Sequence, residues 1–202
     1  VAPLLMANSL RDGAPDAWGR RVIINRLTGL KGDDARNVEF DELTYLLSSG
    51  SDRAGALDFQ ASADTYVARE HADATLDQLL DAAARVERGE PIPQALDNAL
   101  FHGSSMGGAR PKALIEDGTI KFIAKFSATN DTYSVVKAEF IAMRLAALAG
   151  LDVAGVSLRA AAGKDVLLVE RFDRTRVKDG WARRAFVSSL TLFGLDELSG
   201  RH

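Results

Sequence analysis

"KALIEDGTIKFIAKF", Lys112 to Phe126, constrains the fold of this chain more than any other stretch. Two alternating runs, Lys112–Glu116 and Thr119–Phe126, flank Asp117-Gly118. Asp-Gly between two such runs is a strong short-range hairpin signal and predicts a type I′ turn. In a strand, alternate side chains point to opposite faces. Ile123 and Lys125 therefore share one face, and Phe122, Ala124 and Phe126 share the other. If both faces of the sheet are covered, Lys125 is a buried cation that needs an anion; if one is open, Lys125 is solvated.

Before the hairpin the periodicity is helical. Asp16 caps a helix whose face carries Trp18, Val22, Ile23 and Leu27 and which closes at Gly29. Asn37 to Gly50 reads as a second helix with Leu43, Leu46 and Leu47 as its stripe, and Asp52 to Gln60 as a short strand or extended piece. Thr75 to Ile92 is a strong helix through Leu76, Leu79, Leu80, Ala83 and Val86, ended by Gly89 and Pro91, and a short helix follows over Pro93–Ala99. Beyond the hairpin, Thr132–Gly150 is a helix capped by Asp131 or Thr132. Gly155–Arg174 is a second hairpin turning near Gly163-Lys164, and Ala185–Leu195 is a final helix. The change of texture divides the chain into a mostly helical region, 1–98, and a small α+β unit, 99–202.

Composition removes several function classes. The 202 residues contain no cysteine, which excludes disulfides, Cys-ligated zinc and thiol nucleophiles. His71, His102 and His202 are scattered and form no metal-ligand spacing. A net charge of -3 does not suggest binding to nucleic acid through bulk charge. No apolar run approaches the length of a membrane span, and Asp12, Pro15 and Asp16 argue against a signal peptide. A cytoplasmic setting is expected. The first residue, Val1, and the ending "LSGRH" read as those of a piece of a longer protein.

Three features carry possible chemistry. Glu139 stands among Val135, Val136, Ala142 and Met143 on its helix, so it either meets a cation from another element or reaches water at the stripe's edge. Gly103, Gly107 and Gly108 bracket Ser104, Ser105 and Met106 in a turn whose backbone N–H groups could approach an anion, or which is an ordinary turn. It is neither a Walker A loop nor GxGxxG. "VLLVERFDR" leaves a buried strand either as a nucleotide-reading hinge or as a solvated Arg/Asp turn. Glycine loop, hairpin, strand lysine, helix glutamate, hairpin and extended exit is the order of a protein-kinase small lobe.

"SSMGGARPKALI", "FIAKF", "KAEFIAMRLAALAGLDV" and "LLVERFDR", with "APDAWGRRVI" and "DRAGALDF" upstream, resemble the amino-terminal half of the HipA family of bacterial serine/threonine kinase toxins. The resemblance implies an α+β fold: a helical amino-terminal remnant, then a kinase-like small lobe with its hinge and the start of the large lobe. It implies that Lys125 holds ATP phosphates and pairs with Glu139. The phosphate loop would span Ser104 to Lys112, with Ser104, Ser105, Met106, Gly107, Gly108 and Ala109 at ATP. Ser105 would be the autophosphorylated serine that ejects the loop, and Glu170 and Phe172 would offer backbone to adenine. ATP and Mg2+ are the implied cofactors of the full-length protein. A small DNA-binding antitoxin is the implied partner, with DNA reached only through it and no membrane involved. An aminoacyl-tRNA synthetase is the implied substrate.

The sequence departs from a complete kinase in one respect. Metal binding and proton handling need an aspartate/asparagine catalytic loop and a further aspartate. The residues after Asp173 include Asp179 and Asp196, but no segment of either kind, so no metal site is expected in this span. The chain is therefore expected to bind nucleotide weakly or not at all, and not to transfer phosphate by itself. Two alternatives remain: a non-catalytic module that docks an antitoxin or target, and a small-molecule kinase built on the same lobe.

Overall fold

The computed structural model describes residues 6–30, 34–35, 37–69, 74–106 and 108–195. Among them the helices are α1 (Asn8–Arg11), α2 (Ala17–Thr28), α3 (Glu42–Ser48), α4 (Leu76–Arg88), α5 (Gln94–Gly103), α6 (Val135–Leu148) and α7 (Ser189–Phe193). The strands are β1 (Lys112–Asp117), β2 (Ile120–Lys125), β3 (Val156–Ala161), β4 (Lys164–Glu170), β5 (Arg174–Val177) and β6 (Gly180–Arg183).

Local chemistry sets the helix ends. The Asp16 carboxylate accepts from the amides of Trp18 and Gly19 and starts α2, and Gly29 closes it in the left-handed region. Trp18, Val22, Ile23 and Ile24 are buried, whereas Leu27, expected on that face, is half exposed. α3 is shorter than the sequence suggests, because Asp41 caps it by accepting from the Thr44 amide. It buries Tyr45 and Leu46 and leaves Leu43 exposed. Thr75 and Gln78 form a reciprocal capping box on α4, which buries Leu79, Leu80, Ala83 and Val86. α5 continues past the expected Ala99 as far as Gly103. The cap of α6 is Ser134, which accepts from the Lys137 amide. Asp131, an expected cap, instead pairs with Arg110 at 2.6 Å.

β1, β2, β4 and β3 form one antiparallel sheet in that order. Asp117 pairs with Ile120, so the first loop is Gly118-Thr119, one residue later than expected. Only Gly118 has a positive φ there, the pattern of a II′ turn rather than I′. The second hairpin turns at Ala162-Gly163, both at positive φ, between paired Ala161 and Lys164. β5 and β6 form a separate hairpin that the sequence reading missed, with Asp179 in its loop. Asp52–Gln60 forms no strand.

Helices cover both faces of the four-stranded sheet. Phe122, Ala124 and Phe126 pack with Trp18 and Val22 of α2, Leu79 and Val86 of α4, and Leu100 of α5. Removing these apolar groups from water is the main drive to fold. The cluster joins residues on both sides of position 98. α6 packs on β3 and β4 from the opposite face. The result is the expected α+β architecture of helices with an antiparallel sheet. No helix among the described residues is long and apolar enough to cross a membrane.

Candidate functional site

Lys125 leaves β2 on the face opposite Phe122 and Ala124, and Glu139 comes down from α6 onto the same face. Lys125 Nζ stands 2.5 Å from Glu139 Oε1. Both side chains keep about a third of their surface, 29% and 33%. Glu139 therefore does meet a cation from another element, and the pair is also open to solvent.

The glycine turn is not an open surface loop. Gly103 is the last residue of α5, where a Cβ would stand 2.9 Å from the Ala113 Cα. Its missing side chain lets helix and strand pack closely and does not aim backbone at an anion. Ser104, Ser105 and Met106 are buried. The Ser104 hydroxyl has no hydrogen-bond partner among the described residues. Gly107 lies outside the described residues, as do Asp196, His71 and His202.

Lys112 anchors the far end of the turn. It sits opposite Lys125 in the β1–β2 register and is almost fully buried. Its ammonium donates to the Gly108 carbonyl and lies 3.6 Å from Asp16 Oδ2, an ion pair without a hydrogen bond. Burial depresses the Lys112 ammonium to about 8 against the pull of the Asp16 carboxylate, and Lys125 pushes it the same way. Burial raises Asp16 above the usual carboxylate range, although Lys112 and the amides of Gly19 and Trp18 oppose this. The N-terminus of α2 thus holds the turn from beneath.

A cavity of about 610 Å³ opens beside this assembly. Met106, Gly108 and Ala109 line one side, Ile123 and Val169 of the sheet another, and Glu170 and Phe172 a third. Five of the candidate residues therefore converge: Met106, Gly108, Ala109, Glu170 and Phe172. Ser104, Ser105, Lys125 and Glu139 are not part of its lining. A second cavity, of about 730 Å³, contains none of the candidate residues. Arg171 lines both.

The segment after β4 is not a solvated turn. Arg171, Asp173 and Arg174 are buried, and Phe172 between them is exposed. Arg171 donates to the Arg53 carbonyl at 2.7 Å and to Asp173. Arg174 donates to Asp52 and to the Gly55 carbonyl, both at 2.8 Å. The Gly55 amide donates back to Asp173. Burial works against the charge on Asp173, yet hydrogen bonds from Arg171 and the positive charges of Arg171 and Arg174 hold its carboxyl below the usual range. Sequence reasoning missed this network. Its signal was the pair of charge-dense stretches "DRAG" and "ERFDR", but partners about 120 residues apart are invisible to a local reading.

The apolar walls at Ile123, Ala154, Val169 and Phe172 suit a base, and the loop backbone at Gly108 and Ala109 lies beside them. Among the described residues no three His, Asp or Glu side chains stand close enough together to hold a metal ion.

Residues 104–201 match the family model of the HipA-like C-terminal domain, and the match begins at the buried serine turn. This part of the chain carries a HipA-like domain. The HipA of Shewanella oneidensis MR-1, solved with HipB and its operator DNA, is similar in fold, with a TM-score of 0.54 and 22% identity over 90% of this chain. A Sinorhizobium fredii protein named "Putative kinase Y4mE" is 47% identical over 62 residues, which is 31% of this chain. This chain spans 45% of the Shewanella chain and 13% of the Sinorhizobium one.

Proposed function

We propose that this chain is the nucleotide-binding part of an ATP-dependent serine/threonine protein kinase of the toxin type. The observation that carries the reading is the ion pair between Lys125 and Glu139, on the same sheet face as the wall of the 610 Å³ cavity. In kinases such a lysine holds phosphates and is positioned by such a glutamate. The base lies between Ile123, Ala154, Val169 and Phe172. The Glu170 amide is already engaged with the Gly155 carbonyl at 2.8 Å, so the Glu170 carbonyl and the Phe172 amide are the backbone groups that read it. Met106, Gly108 and Ala109 face the phosphates, and Ser104 and Ser105 support the turn from inside.

Ser105 is the proposed autophosphorylation site. It is fully buried, so a phosphate on it requires the turn to leave its seat. Among the described residues no three His, Asp or Glu side chains stand close enough together to hold magnesium. We place its ligands, and the catalytic aspartate, in the part of the relatives that this chain does not span. Without those groups the chain by itself binds nucleotide weakly or not at all and transfers no phosphate. The partner is a small DNA-binding antitoxin, a reading supported by the HipB and operator DNA of the Shewanella complex. The substrate is a protein, with an aminoacyl-tRNA synthetase as the candidate, and the setting is cytoplasmic.

The test is autophosphorylation of the full-length protein and of its Lys125→Ala variant, with ATP titrated onto both. Wild-type activity that disappears in the variant is the expected result. Undiminished phosphorylation in a folded variant would refute the assignment of Lys125. Lack of ATP binding by the wild type would leave the docking-module alternative in its place.

A further inference from the structure

Phe172 is an exposed aromatic ring between two buried charged residues, Arg171 and Asp173. Both neighbours are gripped by one short segment, Asp52 to Gly55. Arg171 Nη1 stands 3.0 Å from Asp52 Oδ1 and its Nη2 donates to the Arg53 carbonyl. Asp173 accepts from the Gly55 amide at 2.8 Å. Arg174 closes the ring through Asp52, the Arg53 carbonyl and the Gly55 carbonyl. The same segment also seats the neighbour of Phe172. The Phe172 and Phe186 ring centroids are 6.0 Å apart. Phe186 lies against Gly55, where a Cβ would come within 2.9 Å of the Phe186 Cβ.

A buried ionic network adds little stability compared with apolar packing of equal volume. What it adds is geometry, because guanidinium forks fix both the distance and the direction of their partners. Here the fixed object is the peptide on each side of Phe172, at the wall of the cavity. We propose that Asp52, Arg171, Asp173 and Arg174, with Gly55, are positioning residues that hold the base-reading segment and so set the preference for adenine. This inference rests on the nucleotide-binding reading above and adds the determinant of base specificity, two members of which, Asp52 and Gly55, come from the amino-terminal region.

The test measures the affinities of the full-length protein for ATP, GTP and inorganic tripolyphosphate, beside its unfolding midpoint. Wild type binds ATP in preference to GTP. Asp52→Asn removes one charge with little change of shape, and weakens ATP binding about tenfold, the scale of one charge-assisted contact. Tripolyphosphate binding stays unchanged, and the ATP-over-GTP preference falls toward unity. A variant merely loosened in structure would lose tripolyphosphate and ATP affinity together, which overturns the proposal. An unchanged ATP-over-GTP ratio in folded Asp52→Asn overturns it as well. If Asp52→Asn does not fold, Arg174→Lys, which keeps the charge and loses the guanidinium fork, takes its place with the same two expected outcomes. Failure of the wild type to bind ATP instead refutes the nucleotide-binding reading itself.

Discussion

Lys125 of β2 and Glu139 of α6 meet at 2.5 Å although fourteen residues separate them, and a tight chain reversal and a helix cap at Ser134 lie between. The pair ties the sheet to the helix that covers it. Because both groups remain about one-third exposed, water and ions screen their attraction. Its role is therefore geometric more than stabilising.

Glu139→Gln should shift the unfolding free energy by less than about 1 kcal/mol, the usual range for an exposed pair. In the full-length protein it should lower phosphoryl transfer by about a hundredfold, because a lysine released from its anchor no longer meets the phosphate in register. Denaturant unfolding and autophosphorylation rates, measured on the same preparation, check both halves. A loss of several kcal/mol with normal rates would show that the pair serves stability instead.

Gly19→Ala should be among the most damaging small substitutions. A Cβ there would overlap the Ser104 carbonyl, which is backbone and cannot swing aside. Alanine ordinarily favours a helix over glycine by about 1 kcal/mol. Here the overlap should outweigh that gain and destabilise by roughly 2 kcal/mol or more. Urea unfolding of the variant reads the difference directly, and a stabilised variant would mean that α2 and the serine turn do not touch.

Ser104→Ala should be neutral or should stabilise by up to about 1–2 kcal/mol. The hydroxyl is buried without a partner among the described residues, so its removal relieves a desolvation cost and breaks no bond. Thermal unfolding of the variant is sufficient to check this, and a drop in stability would reveal a bond to that hydroxyl.

Lys112 gives a pH dependence of definite sign. Its ammonium titrates at about 8 when folded and in the ordinary lysine range, about 10.4, when unfolded. Between those values the unfolded chain binds more protons, so stability rises with pH through this window. The wild type should gain roughly 1–3 kcal/mol between pH 8 and 10 relative to Lys112→Met, whose buried side chain carries no proton. Asp16 has the opposite dependence on the acid side: its raised value means stability falls as pH climbs just above the usual carboxylate range. Urea midpoints at several pH values, compared for the two proteins, separate the slopes.

Much of the framework could be read locally. Asp16 and Gly29 mark the ends of α2, Thr75 and Gly89 those of α4, and the period of "TIKFIAKF" assigns Phe122 and Lys125 to opposite faces. These signals lie within a few residues of what they govern. Turn identity was less legible: Asp117-Gly118 announced a hairpin, but pairing across the sheet placed its loop one residue later. The length of α5 and the cap of α6 were also settled by neighbours, since close packing on β1 carries one helix to Gly103 and the Arg110 pair draws Asp131 away from the other.

The amino-acid order alone determined that a lysine would share a sheet face with Ile123 and that a glutamate would stand in the apolar stripe of a helix, because strand and helix periods are local properties; their meeting was left to the packing. It also placed a glycine-rich turn before them. Only the tertiary structure decided that Ser104 and Ser105 are buried, that Lys112 reaches Asp16, and that "ERFDR" is clamped by "DRAG" from about 120 residues away. The physical reason is that burial and charge pairing depend on which distant surfaces exclude water between them. That is a property of the packed whole and of no single segment.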